Sequence, residues 1–130
     1  MILLDTHVAL WLELAPEKLS HKSRARLHDA QQTGEPVAIS CVTLWEIAHK
    51  NSRSHLELFV PCDQFLAELE VDFAVLPINR QIAMFAAQLN DPFPKDPMDR
   101  LIAGTALANN LTLITRDEKI QLAQVCKVLW

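Results

Sequence analysis

Residues 96–107 (DPMDRLIAGTAL) predict a helix, and residues 111–117 (LTLITRD) predict a short buried strand that ends in a turn. Asp96 has the chemistry of a helix N-cap and Pro97 that of the first helical position, which puts Asp99 in the first turn. Asn109-Asn110 would end this helix. One acid therefore lies at the start of the helix, and another, Asp117, leaves the strand. The predicted apolar face of the helix consists of Leu101, Ile102, Thr105, Ala106 and Ala108.

The same alternation of strand and helix patterns runs along the rest of the chain. Short apolar runs bounded by polar or turn residues predict further strands at 1–4, 37–40, 73–77 and 125–130. The helices between them include one that Ser20 caps, with Ala25 and Leu27 facing inward, and one over Thr43–Lys50. The polar stretch Asn51–His55 is the clearest predicted loop.

Strands that alternate with helices of roughly ten residues are typical of βαβ crossovers and of a parallel sheet covered on both faces. We therefore predict an α/β fold, a three-layer α/β/α sandwich with a central, mostly parallel sheet of about five strands. A length of 130 residues and a hydrophobic content of 50% fit a single domain spanning residues 1–130.

Charge and cysteine content limit the classes of function. A net charge of -4 argues against a domain that coats nucleic acid by bulk electrostatics, although not against an enzyme that cuts it. Three scattered cysteines without a Cys-x-x-Cys pair fit a reduced cytoplasm better than secretion. We also find no signal peptide before the first strand and no apolar run near the ~20 residues of a membrane span, so we expect a cytoplasmic protein with no membrane association.

Acidic residues flank the predicted strands where parallel sheets bind ligands, beyond the carboxyl ends. Asp5 leaves the first strand, and Glu46 lies in the helix after the second. Asp117 leaves the strand that follows the Asp99 helix. We expect these four carboxylates to converge on one edge of the sheet. Like charges held together raise each other's pKa, so a cation is the natural compensation.

The type of cation follows from the donor atoms. Carboxylate oxygens without a cluster of His or Cys favour Mg²⁺ or Mn²⁺ over zinc. The histidines are dispersed, and only the first lies beside a candidate acid: His7, His21, His28, His49 and His55.

Each acid also has a structural interpretation. Asp5 and Asp117 could cap the helices that follow them. Glu46 could form a capping box with Thr43, and Asp99 could do the same with the N-cap three residues before it. The chain would then be a non-catalytic interaction module. Its informative residues would be the aromatic side chains that form a dimer face or a groove for a partner helix, namely Trp45, Phe59, Phe65 and Phe85.

Four short motifs together resemble the PIN-domain ribonucleases, and more narrowly the VapC-type toxins of bacterial toxin–antitoxin pairs. The motifs are LDTH at 4–7, WEIA at 45–48, DPMDRLIA at 96–103 and TRD at 115–117. No single motif is specific alone, but the ordered set covers essentially the whole chain in the order typical of that family.

The resemblance implies roles for individual residues. The acidic quartet of the family is matched by Asp5, Glu46, Asp99 and Asp117. Asp5 and Asp99 would be the primary metal ligands, and the other two acids would complete the site directly or through water. Thr6 matches the small hydroxyl residue after the first acid and would support a ligand or the substrate.

The approach to Asp99 departs in part from the family pattern. Asp96 matches a more variable position, so we interpret it first as an N-cap and second as a ligand. The segment Asp91–Lys95 departs from the usual approach to Asp99, where the family pattern has basic or histidine residues, so the resemblance assigns no substrate contact to it. Cations near the acidic edge could contact phosphates, and these are Lys50, Arg53, Lys95, Arg100 and Arg116.

The activity implied by the resemblance is Mg²⁺-dependent hydrolysis of RNA phosphodiester bonds by an endoribonuclease. The family pattern also implies a toxin that blocks translation until a cognate antitoxin neutralises it, and a homodimer. No Gly-x-Ser-x-Gly elbow or Cys–His pair indicates a protein nucleophile. A P-loop needs closely spaced glycines, and the chain has only Gly34 and Gly104.

Overall fold

Five parallel strands form one sheet at the centre of the molecule. The computed structural model describes all residues, 1–130. Every neighbouring pair of strands is parallel, so the predicted sheet is confirmed and is parallel throughout. Its order is β3-β2-β1-β4-β5, where the strands are β1 (Ile2–Leu4), β2 (Val37–Ser40), β3 (Ala74–Leu76), β4 (Thr112–Ile114) and β5 (Val128–Leu129).

Seven α-helices connect the strands, because parallel neighbours require crossover connections. A single 3₁₀ turn, Pro16–Lys18, separates the first two. No helix combines the length and the apolar run that a membrane crossing requires. The helices are α1 (Thr6–Leu14), α2 (His21–Thr33), α3 (Cys41–Ser52), α4 (Cys62–Asp72), α5 (Arg80–Gln88), α6 (Pro97–Asn109) and α7 (Glu118–Ala123).

The two faces of the sheet bury separate hydrophobic clusters. Leu4 of β1 belongs to one cluster, with Val8 of α1 and Leu69 of α4. Leu3 belongs to the other, with Ile102 of α6. Because successive side chains of a strand point to opposite faces, a continuous apolar strand contributes to both clusters. This arrangement confirms the predicted three-layer sandwich.

Strands β1, β2 and β4 end within one residue of the same level of the sheet. Leu4 pairs with Ile39 of β2 and with Ile114 of β4. The Asp5 amide N–H extends the pairing by donating to the Ile114 carbonyl oxygen at 3.0 Å. The residues that follow these three strands therefore emerge side by side at one edge.

Most helices begin at a polar side chain that accepts a backbone N–H. For α6 the prediction is confirmed, because Asp96 caps the helix, Pro97 is its first residue and Asn110 ends it in the left-handed conformation, with φ of 51°. The side-chain N-caps of the molecule are Asp5, Ser20, Ser40, Asn79, Asp96 and Asp117.

The predicted start of α3 was wrong. The helix begins at Cys41 rather than Thr43, because the Ser40 hydroxyl accepts the Val42 N–H and caps it earlier. Its end at Ser52 also shortens the predicted loop.

The predicted inward face of α2 was wrong at one position. Ala25 is exposed, and Ser23 and Ala30 face inward together with Leu27. Ser23 tolerates complete burial because its hydroxyl donates to the Ser20 carbonyl oxygen at 3.0 Å.

Helix α6 buries more residues than its periodicity predicts, because α5 packs closely against it. Ala103 and Gly104 are both buried. A Cβ atom built on Gly104 would lie 2.8 Å from the Ile82 carbonyl oxygen and 3.1 Å from the Ala86 amide nitrogen. Both of those atoms belong to the backbone of α5, so a side chain at this position would force the two helices apart.

Replacing Gly104 with alanine should destabilise the protein. Overpacking against backbone costs about 1–3 kcal/mol, whereas the better helix propensity of alanine returns about 1 kcal/mol. We expect the free energy of unfolding to fall by up to about 2 kcal/mol, measured by urea denaturation of Gly104→Ala beside the wild type. A variant more stable than the wild type would contradict this prediction, because it would mean that the gain in helix propensity exceeds the cost of the contact with α5.

Candidate functional site

An open cleft of about 720 Å³ lies at the edge where β1, β2 and β4 end. All four acids of the predicted quartet contribute to its wall. The lining is polar apart from one tryptophan and consists of Asp5, His7, Trp11, Glu46, Lys50, Asp96, Asp99, Arg116, Asp117, Glu118 and Lys119.

Asp5 is the most deeply placed of these acids, with 6% of its surface exposed. One carboxylate oxygen, Oδ1, accepts the Thr6 backbone N–H at 2.8 Å and caps α1. The other, Oδ2, accepts the Thr115 hydroxyl at 2.8 Å. Both oxygens are therefore held in fixed positions, while neither is neutralised by a cation within 4.0 Å.

Glu46 is held by a chain of buried hydroxyl groups. The Thr6 hydroxyl donates to Glu46 Oε1 at 2.7 Å. Thr43 Oγ1 lies 3.0 Å from Thr6 Oγ1. Because the single proton of Thr6 goes to the carboxylate, Thr43 must be the donor in the second contact. The predicted support role of Thr6 thus has a direct geometric counterpart.

Thr115 joins Asp5 to Asp117. Its hydroxyl donates to Asp5 and accepts the Asp117 backbone N–H at 3.1 Å. The Asp117 side chain in turn accepts the Ile120 N–H at 3.0 Å and caps α7. A single buried hydroxyl therefore sets the distance between two acids that are far apart in sequence.

Asp99 has no comparable support. Its carboxylate is half-buried in the first turn of α6, and it forms no hydrogen bond or ion pair with another residue. Burial, together with the charges of Asp5 and Asp96, raises the pKa of Asp99 to about 7. Burial also raises the pKa of Glu46, against the opposing effect of the Thr6 hydrogen bond.

These contacts distinguish the two interpretations of the acids. Asp5, Asp96 and Asp117 do cap helices, as the structural interpretation predicts. Glu46 does not, because the N-cap of α3 is Ser40 and Glu46 lies beyond the first turn. Asp99 also accepts no backbone N–H. Two of the four acids are therefore placed in the cleft without a capping role.

The cations near the acids divide into two groups. Lys50 and Arg116 line the cleft, whereas Arg53, Lys95 and Arg100 do not. The Arg100 guanidinium donates to the carbonyl oxygens of Leu89 and Pro94 and so ties down the segment before α6. Its position favours structural support over a phosphate contact.

Two rings of α1 contact the lining cations. Lys50 Nζ lies 3.2 Å from His7 Nε2, and the Arg116 guanidinium carbon lies 5.6 Å from the centroid of the Trp11 ring. Burial and the neighbouring Lys50 lower the pKa of His7. Trp11 was not predicted as a site residue, although its position four residues after His7 on a helix was a usable signal.

The donor atoms suit a hard divalent cation, since carboxylate oxygens dominate the lining. Asp5 and Glu46 are pre-oriented by the Thr6 and Thr115 hydroxyls, whereas Asp99 is uncompensated. No group of three or more His, Cys, Asp or Glu side chains in the structure lies close enough together to hold a metal ion.

Comparison with known proteins gives one consistent answer on the family. A family model described as PIN domain matches residues 2–127. Ribonuclease VapC22 of Mycobacterium tuberculosis is 29% identical over 120 residues, which are 92% of this chain and 89% of that protein.

Two solved structures share the fold. A chain of VapBC2 from Rickettsia felis, bound to a promoter DNA fragment, has a TM-score of 0.70 and 20% identity, covering 99% of this chain and 98% of that one. A chain of a toxin–antitoxin complex from Klebsiella pneumoniae has a TM-score of 0.64 and 22% identity, covering 100% and 97%. Because the family model spans nearly all of its length, and the fold and motif order agree with it, this chain belongs to the PIN-domain family.

Proposed function

We propose that this protein is a divalent-metal-dependent endoribonuclease and the toxin of a toxin–antitoxin pair. Mg²⁺ is the proposed cofactor, and Mn²⁺ would also serve. Membership of the PIN-domain family and the likeness to a ribonuclease, VapC22, support the class of reaction. The substrate class, RNA, comes from that relative's name.

The observation that carries the proposal is the placement of Asp99 and Glu46. Neither acid caps a helix, yet both lie in a cleft with Asp5 and Asp117. Gathering carboxylates in this way costs stability through repulsion and lost hydration. A purely structural module has no need of gathered carboxylates, whereas a metal site requires them as ligands.

Asp5, Glu46, Asp99 and Asp117 would hold the metal. When bound, the metal would supply a water of lowered pKa and neutralise charge that develops on the phosphate. The protein itself supplies orientation, because the Thr6 and Thr115 hydroxyls fix two of the carboxylates. Lys50 and Arg116 would contact the phosphates of the substrate.

The partners are also proposals. The similar solved structures include a chain of a toxin–antitoxin complex, which supports the proposal of a cognate antitoxin. We propose that this antitoxin blocks the cleft. In the absence of antitoxin, cleavage of RNA in the cytoplasm would halt translation. We further propose a homodimer, for which the exposed Trp45 on α3 and Met84 on α5 offer apolar surface.

Purified protein should cleave total cellular RNA into discrete fragments when Mg²⁺ or Mn²⁺ is present. Asp99→Asn and Glu46→Gln should each lower the cleavage rate by at least about 100-fold, because each removes a charged metal ligand. Gel analysis of the fragments over time measures the rates, with EDTA as a blank.

The matched control for Asp99→Asn is Asp63→Asn. Both acids lie in the first turn of a helix, but Asp63 of α4 is outside the cleft and should leave cleavage unchanged. Folded wild-type protein that neither cuts RNA nor binds Mn²⁺ in calorimetry would overturn the nuclease and favour the interaction module.

Asp99→Asn should stabilise the metal-free protein at alkaline pH. The raised pKa of Asp99 means that its ionised form destabilises the fold, so this cost is absent below about pH 4, grows as the pH rises toward about 7 and is constant above that. After allowance for the solvent that reaches the carboxylate, we expect a gain on the order of 1 kcal/mol at pH 8.

Urea denaturation of both proteins in EDTA, at pH 5 and at pH 8, measures this difference. Added Mg²⁺ should then stabilise the wild type more than the variant, because ligand binding to the folded state adds to its stability. A variant that is less stable than the wild type at pH 8 would show that Asp99 has a structural role.

A further inference from the structure

Arg116 and Lys50 lie among carboxylates without pairing with any of them. Both line the cleft with Asp5, Glu46 and Asp117. In a cleft so rich in acids, a flexible cation is expected to bridge to the nearest carboxylate. However, the only two ion pairs of the molecule within 4.0 Å lie elsewhere, on Glu35. Something other than the acids must therefore determine where these cations sit.

The Trp11 ring is the contact that Arg116 makes instead. The guanidinium carbon lies 5.6 Å from the ring centroid, within the range of a cation–π interaction. A contact with the ring uses none of the guanidinium N–H groups as donors to a carboxylate or carbonyl oxygen. None of the Arg116 side-chain donors forms a hydrogen bond within the protein. The side chain is thus both restrained and free to bind an anion.

Trp11 is well suited to such a support because it is itself restrained. It belongs to α1 and packs against the hydrophobic cluster of one sheet face. The Trp130 and His7 rings both lie 5.9 Å from it, at interplanar angles of 54° and 50°. Lys18 Nζ is 6.0 Å from the same ring.

Lys50 of α3 also contacts a ring of α1, that of His7, which lies one turn before Trp11. Its Nζ lies 3.2 Å from Nε2 of His7, and an ammonium group can only donate in this contact. Two cations from distant elements thus contact side chains of α1, and neither forms an ion pair with a carboxylate.

We propose that Trp11 is a positioning residue that holds the Arg116 guanidinium for contact with an RNA phosphate and away from the acids. This inference rests on the proposed nuclease function and deepens it. The cleft must attract a polyanion and must also keep its carboxylates unpaired so that they can bind a metal. An Arg116 held on Trp11 meets both requirements. An Arg116 that paired with Asp117 would satisfy neither requirement.

RNA binding at several salt concentrations tests the role of Trp11. The probe is a fluorescein-labelled single-stranded oligouridylate, its binding is followed by anisotropy, and Asp99→Asn is the parent protein so that the probe is not cut. Arg116→Gln should weaken binding on the order of tenfold. It should also reduce the slope of log affinity against log salt by about 0.7, the value for one phosphate contact on a single strand.

A double-mutant cycle distinguishes positioning from a separate contact. Trp11→Leu should reproduce the loss of slope seen in Arg116→Gln, and the two changes combined should weaken binding no further than Arg116→Gln alone. Trp11→Phe, which keeps an aromatic face, should bind like the parent. Normal binding by Trp11→Phe would distinguish positioning of Arg116 from a general packing defect. Thermal unfolding of each variant would reveal such a defect.

One control variant matches the change at Arg116. Arg53→Gln removes an exposed cation outside the cleft and should leave the slope unchanged.

The possible failures can be told apart. The inference would be overturned if Trp11→Leu and Arg116→Gln lowered the RNA affinity additively, or if Trp11→Leu left the salt slope unchanged. Cleavage of RNA by the wild type would in that case leave the proposed function intact. A parent protein that does not bind the probe, with a wild type that does not cleave RNA, would overturn both.

Discussion

The acidic cleft depends on one geometric constraint, the in-register ending of β1, β2 and β4. Leu4 pairs with a residue in each neighbouring strand, and the Asp5 amide adds one further hydrogen bond to β4. The chain can only leave these strands at the same edge, so Asp5 and the Thr115–Asp117 segment become neighbours despite their separation in sequence. A shift of one residue in this register would move the charged Asp5 into the apolar interior or Leu4 out to the cleft edge, so the burial of β1 between the two hydrophobic clusters opposes it.

Hydroxyl groups convert this proximity into a defined arrangement. Thr6 and Thr115 are completely buried, and each contacts a carboxylate of the cleft while also accepting a second hydrogen bond or close polar contact. A neutral hydrogen-bond donor can orient a carboxylate and leave its charge in place. An ion pair would orient the carboxylate and also neutralise its charge. The cleft therefore keeps its negative charge although two of its acids, Asp5 and Glu46, are held by hydrogen bonds.

Asp99, unlike Asp5 and Glu46, is not held by a hydroxyl group. Its carboxylate is partly desolvated, repelled by its neighbours and not compensated by the protein. Functional sites commonly hold such locally unfavourable arrangements, and the remainder of the fold supplies the stability that permits them. Here the two clusters on either side of the sheet do so, with α5 and α6 packed closely at Gly104.

The amino-acid sequence by itself determined the elements, their order and the four acids. Strand and helix patterns are local, as are the caps at Asp96 and Asn110, and helical crossovers between short apolar strands are typical of a parallel sheet. The tertiary structure decided which hydroxyls reach the acids and which cations lie in the cleft. Trp11 illustrates the reason, because its contacts to Arg116 and Trp130 join segments more than a hundred residues apart. Periodicity reports which face of a helix is apolar, but contacts over such separations depend on the packing of the whole sheet.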